Sequence, residues 1–344
     1  MAYDGISRRD GSSAVIFVHF VAMISVVICH CKCGSHIERY LLPIIGYWSV
    51  PWFFTVSGYF FVGSFERHGV FELLGKKVKS LLIPYVIWCM WGWLIAGCFD
   101  GFVFDFSLDR IFAFCGSSYP LYNRPLWYVR TLLVLVVLGS GCLMTSRVFN
   151  GKNIRLFFYG FCLLSAFYLV GRLVPVGQIS SVIYFLIGSV IYMAGHNGCI
   201  GSIHISRVQR ISLCALMALG FICTRGIWFF MGGESNMSSP ISYWMLNISS
   251  ILQYSTIYLF VVINEHRVAA LNSLAKSSTF VYFFHAPLLW CTLKVLDPLT
   301  NCNDASIDGL YMLFALIYPL SCVFLYKVLS TKCPRLYGVI SGGR

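Results

Sequence analysis

Charge is what this sequence has least of. Of its 344 residues, 11% are Asp, Glu, Lys or Arg, against roughly 25% in soluble domains. Only 13 residues are acidic and 25 are Lys or Arg, a net charge of +12. So few charges cannot cover the surface of a soluble globule. A chain that is 58% hydrophobic, with a mean hydropathy of +0.77, suits lipid as its solvent. The basic excess is not gathered on a soluble module, which speaks against nucleic-acid binding. Short alternating apolar and polar segments are missing, which argues against a β-barrel. No internal repeat is visible, which counts against transporters built from repeats. The first apolar stretch lacks a small-residue cleavage pattern and reads as a retained helix. Cys29-His30-Cys31-Lys32-Cys33, with His36 nearby, has no second ligand pair at zinc spacing, so no metal is expected. The fifteen cysteines sit mostly singly in apolar stretches, as small buried residues do. No disulfide framework is expected; Cys302 has only Cys31 and Cys33 as plausible partners.

What is present is a series of apolar blocks long enough to cross a bilayer as helices. Ten are expected, near 14–30, 44–64, 80–99, 126–145, 156–174, 179–194, 211–231, 245–263, 278–296 and 309–328. With the N-terminus in the cytoplasm, 17 of the 25 Lys and Arg residues fall in cytoplasmic segments and 5 in outer ones. The positive-inside rule therefore expects an N-in/C-in topology. The fold class is an all-α polytopic membrane protein, a single transmembrane domain over 1–344 with no appended soluble domain. The longest outer loop, about 100–125, ends in Tyr-Asn-Arg-Pro-Leu-Trp, and loops of that length are often functional.

Several polar residues interrupt the apolar blocks. His19 and His30 are eleven residues apart on the first span. At about 100° per residue both lie on one face, about 16 Å apart along the axis. An ionisable side chain within a span is costly to bury and marks a candidate site; a neutral imidazole bridging helices is the plainer alternative. The second span runs Ser49-Val-Pro-Trp-Phe-Phe-Thr-Val-Ser-Gly-Tyr-Phe-Phe61, where Ser57-Gly58 permits close helix approach. Lys76, Lys77 and Lys79 stand at the cytoplasmic mouth of the third span, suited to phosphates or to ordinary anchoring. Trp127 and Tyr128 open the fourth span and suit an interface. Arg130, Arg225 and Lys294 lie within outer halves of spans and point to a polar, water-filled cavity there, with snorkelling as the alternative. Tyr282 and His285, at i and i+3, share a helix face just before Pro287.

Five of these segments, in order, resemble the acyltransferase-3 family of membrane O-acyltransferases over nearly the whole chain. His19-x10-His30 is similar to the family's Arg-x10-His helix, and Ser49 to Gly58 to its second-helix signature. Lys77-Val-Lys-Ser-Leu-Leu-Ile-Pro-Tyr-Val-Ile-Trp88 resembles the basic start of its third helix. Pro125-Leu-Trp-Tyr128 and Tyr282-x-x-His285 match two later landmarks. A literal Arg-x10-His spacing also exists at Arg8 and His19, but that stretch is partly polar and begins outside the membrane. The family's Arg thus falls on His19. Arginine is permanently charged and histidine mostly neutral near pH 7, so this chain either holds its acyl donor differently or is impaired.

The resemblance implies a multi-pass enzyme of the bacterial inner membrane that transfers an acyl group other than aminoacyl, usually acetyl. The co-substrate is cytoplasmic acyl-CoA, with acetyl-CoA expected. The acceptor is a hydroxyl of an envelope polysaccharide or a lipid-linked sugar. On that reading Lys76, Lys77 and Lys79 dock acyl-CoA and the thioester enters past His19. His30 is the general base or a transient acyl carrier. Arg130, Trp127, Tyr128 and Tyr282 line the acceptor side, and His285 is a second base or an orienting group. The rival reading is a transporter or flippase of a lipid-linked sugar, which would also want a polar cavity. A membrane sensor or scaffold is the third; it would not need an axial row of histidines.

Overall fold

The computed structural model describes residues 4–30, 43–100, 124–149, 151–173, 179–196, 206–233, 238–268, 271–296 and 304–342. Regular structure among them is helical throughout. The long helices are α1 (Asp4–His30), α2 (Ser49–Lys77), α3 (Ile83–Asp100), α4 (Trp127–Ser146) and α5 (Lys152–Leu173). They continue with α6 (Ile179–His196), α7 (Arg207–Phe230), α8 (Pro240–Ile263), α9 (Ser278–Leu296) and α10 (Asp304–Lys332). Shorter pieces join them: a π-helical turn Val78–Leu82, a 3-10 turn Arg124–Leu126, two short helices Glu265–Val268 and Asn272–Ala275, and a last helix, α11 (Pro334–Ile340).

These helices overlap the apolar blocks read from the sequence. Among the described residues, six of them are long and apolar enough to cross a membrane: Ser13–His30, Trp127–Ser146, Asn153–Gly171, Arg207–Phe230, Pro240–Ile263 and Leu313–Lys332. α6 adds a shorter apolar stretch, Ile179–Gly195. In α2 the difference from expectation has a physical cause. Its middle is built from Trp52, Thr55 and Gly58, which are buried against other helices rather than turned to lipid. Sequence patterning also placed a loop after residue 64. The chain instead stays helical to Lys77, broken at Gly69, whose φ of 72° is a left-handed conformation only glycine adopts freely.

Local chemistry explains the ends. Ser206 and Gln209 form a reciprocal capping box at the start of α7, Ser206 Oγ accepting from Gln209 N at 3.2 Å and Gln209 Oε1 from Ser206 N at 2.8 Å. Pro240 occupies the first turn of α8, where its missing N–H costs nothing.

The bundle is inside-out relative to a soluble protein. Phe157 on α5, Leu216 on α7 and Phe324 on α10 are exposed, while Ser49, Ser189, Ser242, Arg225 and His285 are buried. Buried hydroxyls bond to the carbonyl one turn back on their own helix, as at Ser140 to Val136 (2.7 Å) and Ser250 to Leu246 (2.8 Å). Such bonds satisfy a polar group without water.

α1 lies inside the bundle, against α2, α8, α9 and α10. α7 and α8 form one tight pair, and α2 and α6 another. In the latter the backbones touch. A Cβ on Gly58 would sit 1.9 Å from the Phe185 carbonyl oxygen, and one on Gly188 1.8 Å from that of Thr55. Alanine at either position must push the helices apart, at a cost of about 1–3 kcal/mol or more. Gly188→Ala is therefore expected to lower the melting temperature of the detergent-solubilised protein by several degrees. Gly160→Ala, on α5 with open space beyond it, should leave it unchanged or slightly raised. Equal melting of the two variants would show that α2 and α6 do not meet there.

Candidate active site

A cavity of about 730 Å³ opens beside α1, where α2, α4 and α9 approach it. At one end lie Lys77, Lys276, Tyr326 and Tyr337; further in are His19, Phe53, Ser57, Tyr128 and Tyr282. The lysine end is built by unusual backbone. The π turn follows Lys77 directly and brings Leu81 into the lining; π segments are frequent at functional sites. α11 closes it from below: Trp88 Nε1 donates to the Ile340 carbonyl at 2.9 Å. Gly342 packs so tightly on Ser80 that a Cβ would fall 2.5 Å from its carbonyl oxygen.

From the cavity a row of rings leads along α1. His19 stands edge-on to Phe53, centroids 4.6 Å apart. Phe53 meets Tyr128 at 5.7 Å and Tyr282 at 6.4 Å, and the two tyrosines meet each other at 5.7 Å. Tyr282 is 5.9 Å from His285, and His285 is 5.5 Å from His30. The row thus begins and ends on the two histidines of α1 that share one face.

The hydroxyls in the row are held. The Tyr282 hydroxyl donates to the Pro125 carbonyl, tying α9 to the turn before α4. Tyr128 donates to the Phe53 carbonyl at 3.4 Å, which makes Ser57 the donor in its 3.0 Å bond with the Tyr128 hydroxyl. Ser57 is therefore paired with a phenol, not with a base that could make it a nucleophile.

His285 is fully buried. Its Nδ1 lies 2.7 Å from the Tyr282 carbonyl and 3.2 Å from that of Val281. Two acceptors at one nitrogen require the hydrogen there. In the neutral ring the lone pair is then on Nε2, which is buried and has no hydrogen-bond partner among the described residues. Tyr318 donates its hydroxyl to the His285 carbonyl at 2.5 Å, bracing this turn of α9 from α10.

The structure sorts the residues singled out from sequence. His19, Lys77, Tyr128 and Tyr282 line one cavity, and His30 and His285 continue from it. Lys76 turns away to Glu72 at 2.8 Å, and that hydrogen bond holds the Glu72 carboxyl below its ordinary range. Lys79 is exposed. Trp127 packs on Phe54 at 6.2 Å, and Arg130 is buried without being among the cavity's lining residues. The polar cavity expected around Arg130, Arg225 and Lys294 is thus not this one. The Lys294 side chain, Cys31, Cys33, His36 and most of the 100–125 loop lie outside the described residues. Among the described residues no three His, Cys, Asp or Glu side chains converge to hold a metal. Sequence reasoning missed Lys276, Thr279 and Tyr337 as lining residues; only Lys276 carried a signal, a lysine at the start of its span as Lys76, Lys77 and Lys79 are at the start of the third.

A helical membrane protein with paired imidazoles at the end of an internal cavity has the makings of a group-transfer enzyme. The chain belongs to the acyltransferase-3 family, whose acyltransferase domain matches residues 14–326. It is a membrane acyltransferase. Comparison with curated proteins and with solved structures found no match.

Loss of the Tyr282 hydroxyl removes the α9-to-turn tie and leaves the Pro125 carbonyl unpaired. Tyr282→Phe is expected to cost about 1–3 kcal/mol, read by thermal or chemical unfolding in nanodiscs. Ser57→Ala, which leaves Tyr128 its bond to Phe53, should cost less than about 1 kcal/mol. The reverse order would mean that Tyr282 is not tied to the turn.

Proposed function

We propose that the chain is an O-acyltransferase taking an acyl group, acetyl in the simplest case, from cytoplasmic acyl-CoA to a hydroxyl of an envelope sugar or lipid-linked glycan. Its setting is the bacterial inner membrane, with the lysine end of the cavity in the cytoplasm. The observation that carries this reading is the His30–His285 pair. It stands at the far end of a ring-lined path whose near end holds two lysines.

Lys77 and Lys276 at the cavity mouth suit the phosphates of acyl-CoA. The thioester then reaches in past His19 and Phe53. The acceptor hydroxyl oxygen attacks the thioester carbonyl carbon, and the carbon–sulfur bond breaks. The hydroxyl proton goes to an imidazole and from there to the departing thiolate, giving an ester and free CoA. His30 takes the proton as general base. His285, whose Nδ1 hydrogen is committed to its own helix, keeps a lone pair on Nε2 and orients or relays. Tyr128 and Tyr282 present aromatic faces to the reacting groups.

The test is release of CoA from acetyl-CoA by protein in nanodiscs, with and without a membrane glycan extract. His30→Ala should lower glycan-stimulated release about 10²–10⁴-fold with expression intact. Wild-type rates in that variant would remove His30 from the chemistry. Absence of any release by the wild type would favour the flippase reading. Lys77→Ala should raise KM for acetyl-CoA about tenfold, a loss of about 1.4 kcal/mol. Lys76→Ala, whose ammonium is taken by Glu72, should change it little. Equal effects of the two would mean that the cavity mouth is not the donor's docking place.

A further inference from the structure

A second polar centre lies away from the histidine row. Arg225, on the last turns of α7, is 3% exposed. Its Nε, Nη1 and Nη2 are all buried without a hydrogen-bond partner among the described residues. Its guanidinium carbon lies 5.5 Å from the ring centroid of Trp228 and 5.7 Å from that of Phe221. Trp228, three residues on, is fully buried with its own Nε1 hydrogen unpartnered, and so is the Ser242 hydroxyl in the first turn of α8. α7 and α8 run antiparallel, Gly220 packing on Leu252 and Cys214 Sγ bonding the Thr256 carbonyl. That register sets Arg225 level with Leu246 and Asn247. There Asn247 accepts from the Tyr184 hydroxyl at 2.5 Å and donates to the Tyr243 carbonyl at 2.6 Å.

Guanidinium does not give up its proton in a protein, and burying its charge uncompensated is expensive. The groups gathered here can all donate, and the cation among them carries no counter-charge in the described structure. What completes such a set is an anion with several acceptor oxygens, and the guanidinium fork matches phosphate or carboxylate. A second observation narrows the class. A separate cavity of about 630 Å³, largely apolar, runs between the same three helices and α2, lined by Gly188, Ile191, Leu213, Met217, Tyr254 and Tyr258 among others. Leu213 and Met217 lie two to three turns along α7 from Arg225, toward its basic N-terminus. Tyr184 on α6 bonds Asn247 beside Arg225, and Gly188, four residues further along α6, lines this cavity. An anionic group at Arg225 with a hydrocarbon chain descending beside it is an amphiphile.

We propose that this is a lipid-phosphate site. Arg225, Trp228 and Ser242 hold the phosphate, and the apolar cavity between α2, α6, α7 and α8 takes the chain. It rests on the proposed function in one respect: it makes the acceptor a lipid-phosphate-linked sugar. Binding itself does not depend on catalysis.

The experiment is a thermal-shift series on the full-length protein in neutral detergent, with farnesyl phosphate, farnesol and inorganic phosphate as probes. Farnesyl phosphate should raise the melting temperature by about 5 °C, and the other two should not. Arg225→Gln should abolish the shift, Ser242→Ala should reduce it, and Met217→Trp, which fills the cavity, should abolish it without touching the charge. If Arg225→Gln does not fold, Ser242→Ala and Met217→Trp still decide. A shift with farnesol as large as with farnesyl phosphate, a shift with inorganic phosphate alone, or no shift at all overturns the proposal. So does a wild-type shift in Met217→Trp. CoA release measured on the same samples separates the two readings: binding without release keeps this site and sinks the transferase, and release without binding does the reverse.

Discussion

The backbone contact between α2 and α6 decides where everything else can sit. In lipid no hydrophobic force draws helices together, so packing depends on close approach through small residues. Gly58 and Gly188 supply it, each lying against a carbonyl of the other helix. Docked there, α2 turns one face toward α1 and α4 and another toward α8. Phe53 and Ser57 enter the histidine row, while Trp52 and Thr55 meet Tyr254. Both cavities share Val15, Val56 and Phe60 as lining, so a wall from α1 and α2 divides them.

Inside that frame the low dielectric makes each polar group conspicuous. Most are answered locally: serines and threonines bond back along their own helices, Tyr282 bonds the turn before α4, and Gln253 Nε2 bonds the Ile44 carbonyl. The Nε2 of His285 and the guanidinium of Arg225 are not. An unanswered group costs more in this setting than in a soluble core. Of the buried groups without a partner among the described residues, these two, one a base and one a cation, are the ones on which the two proposals rest.

Much of the helical frame was legible because apolar length is a strong signal, and the alignment of His19 with His30 follows from helical period alone. Tyr282 and His285 were legible for the same reason. What escaped depended on rotation about helix axes. Lys76 and Lys77 are adjacent in sequence yet about 100° apart around the helix. Glu72 stands four residues before Lys76, an i,i+4 pairing that sequence could have offered and that explains why Lys77, not Lys76, faces the cavity. Trp127 and Tyr128 differ likewise: both meet Phe54, at 6.2 and 4.7 Å, but Tyr128 alone of the two lines the cavity. The Ser242 donor near Arg225 comes from another helix, so no local pattern announces it. The extension of α2 past residue 64 was missed because a polar amphipathic end looks like a loop when only apolar length is counted.

His19, which stands where the resemblance to the family expects an arginine, sits among rings. A side chain with a permanent charge would stand in the row against the face of Phe53 and beside Tyr128. His19 instead presents a small, polarisable ring edge to Phe53 at 4.6 Å. On the proposed reading the negative charge of the donor is met by cations at the mouth, where Lys77 and Lys276 share the lining. On that reading charge recognition sits at the lysine end, and the interior of the row is left to rings, hydroxyls and imidazoles. A proton can pass among such groups without an ion being stranded in a medium that cannot solvate it.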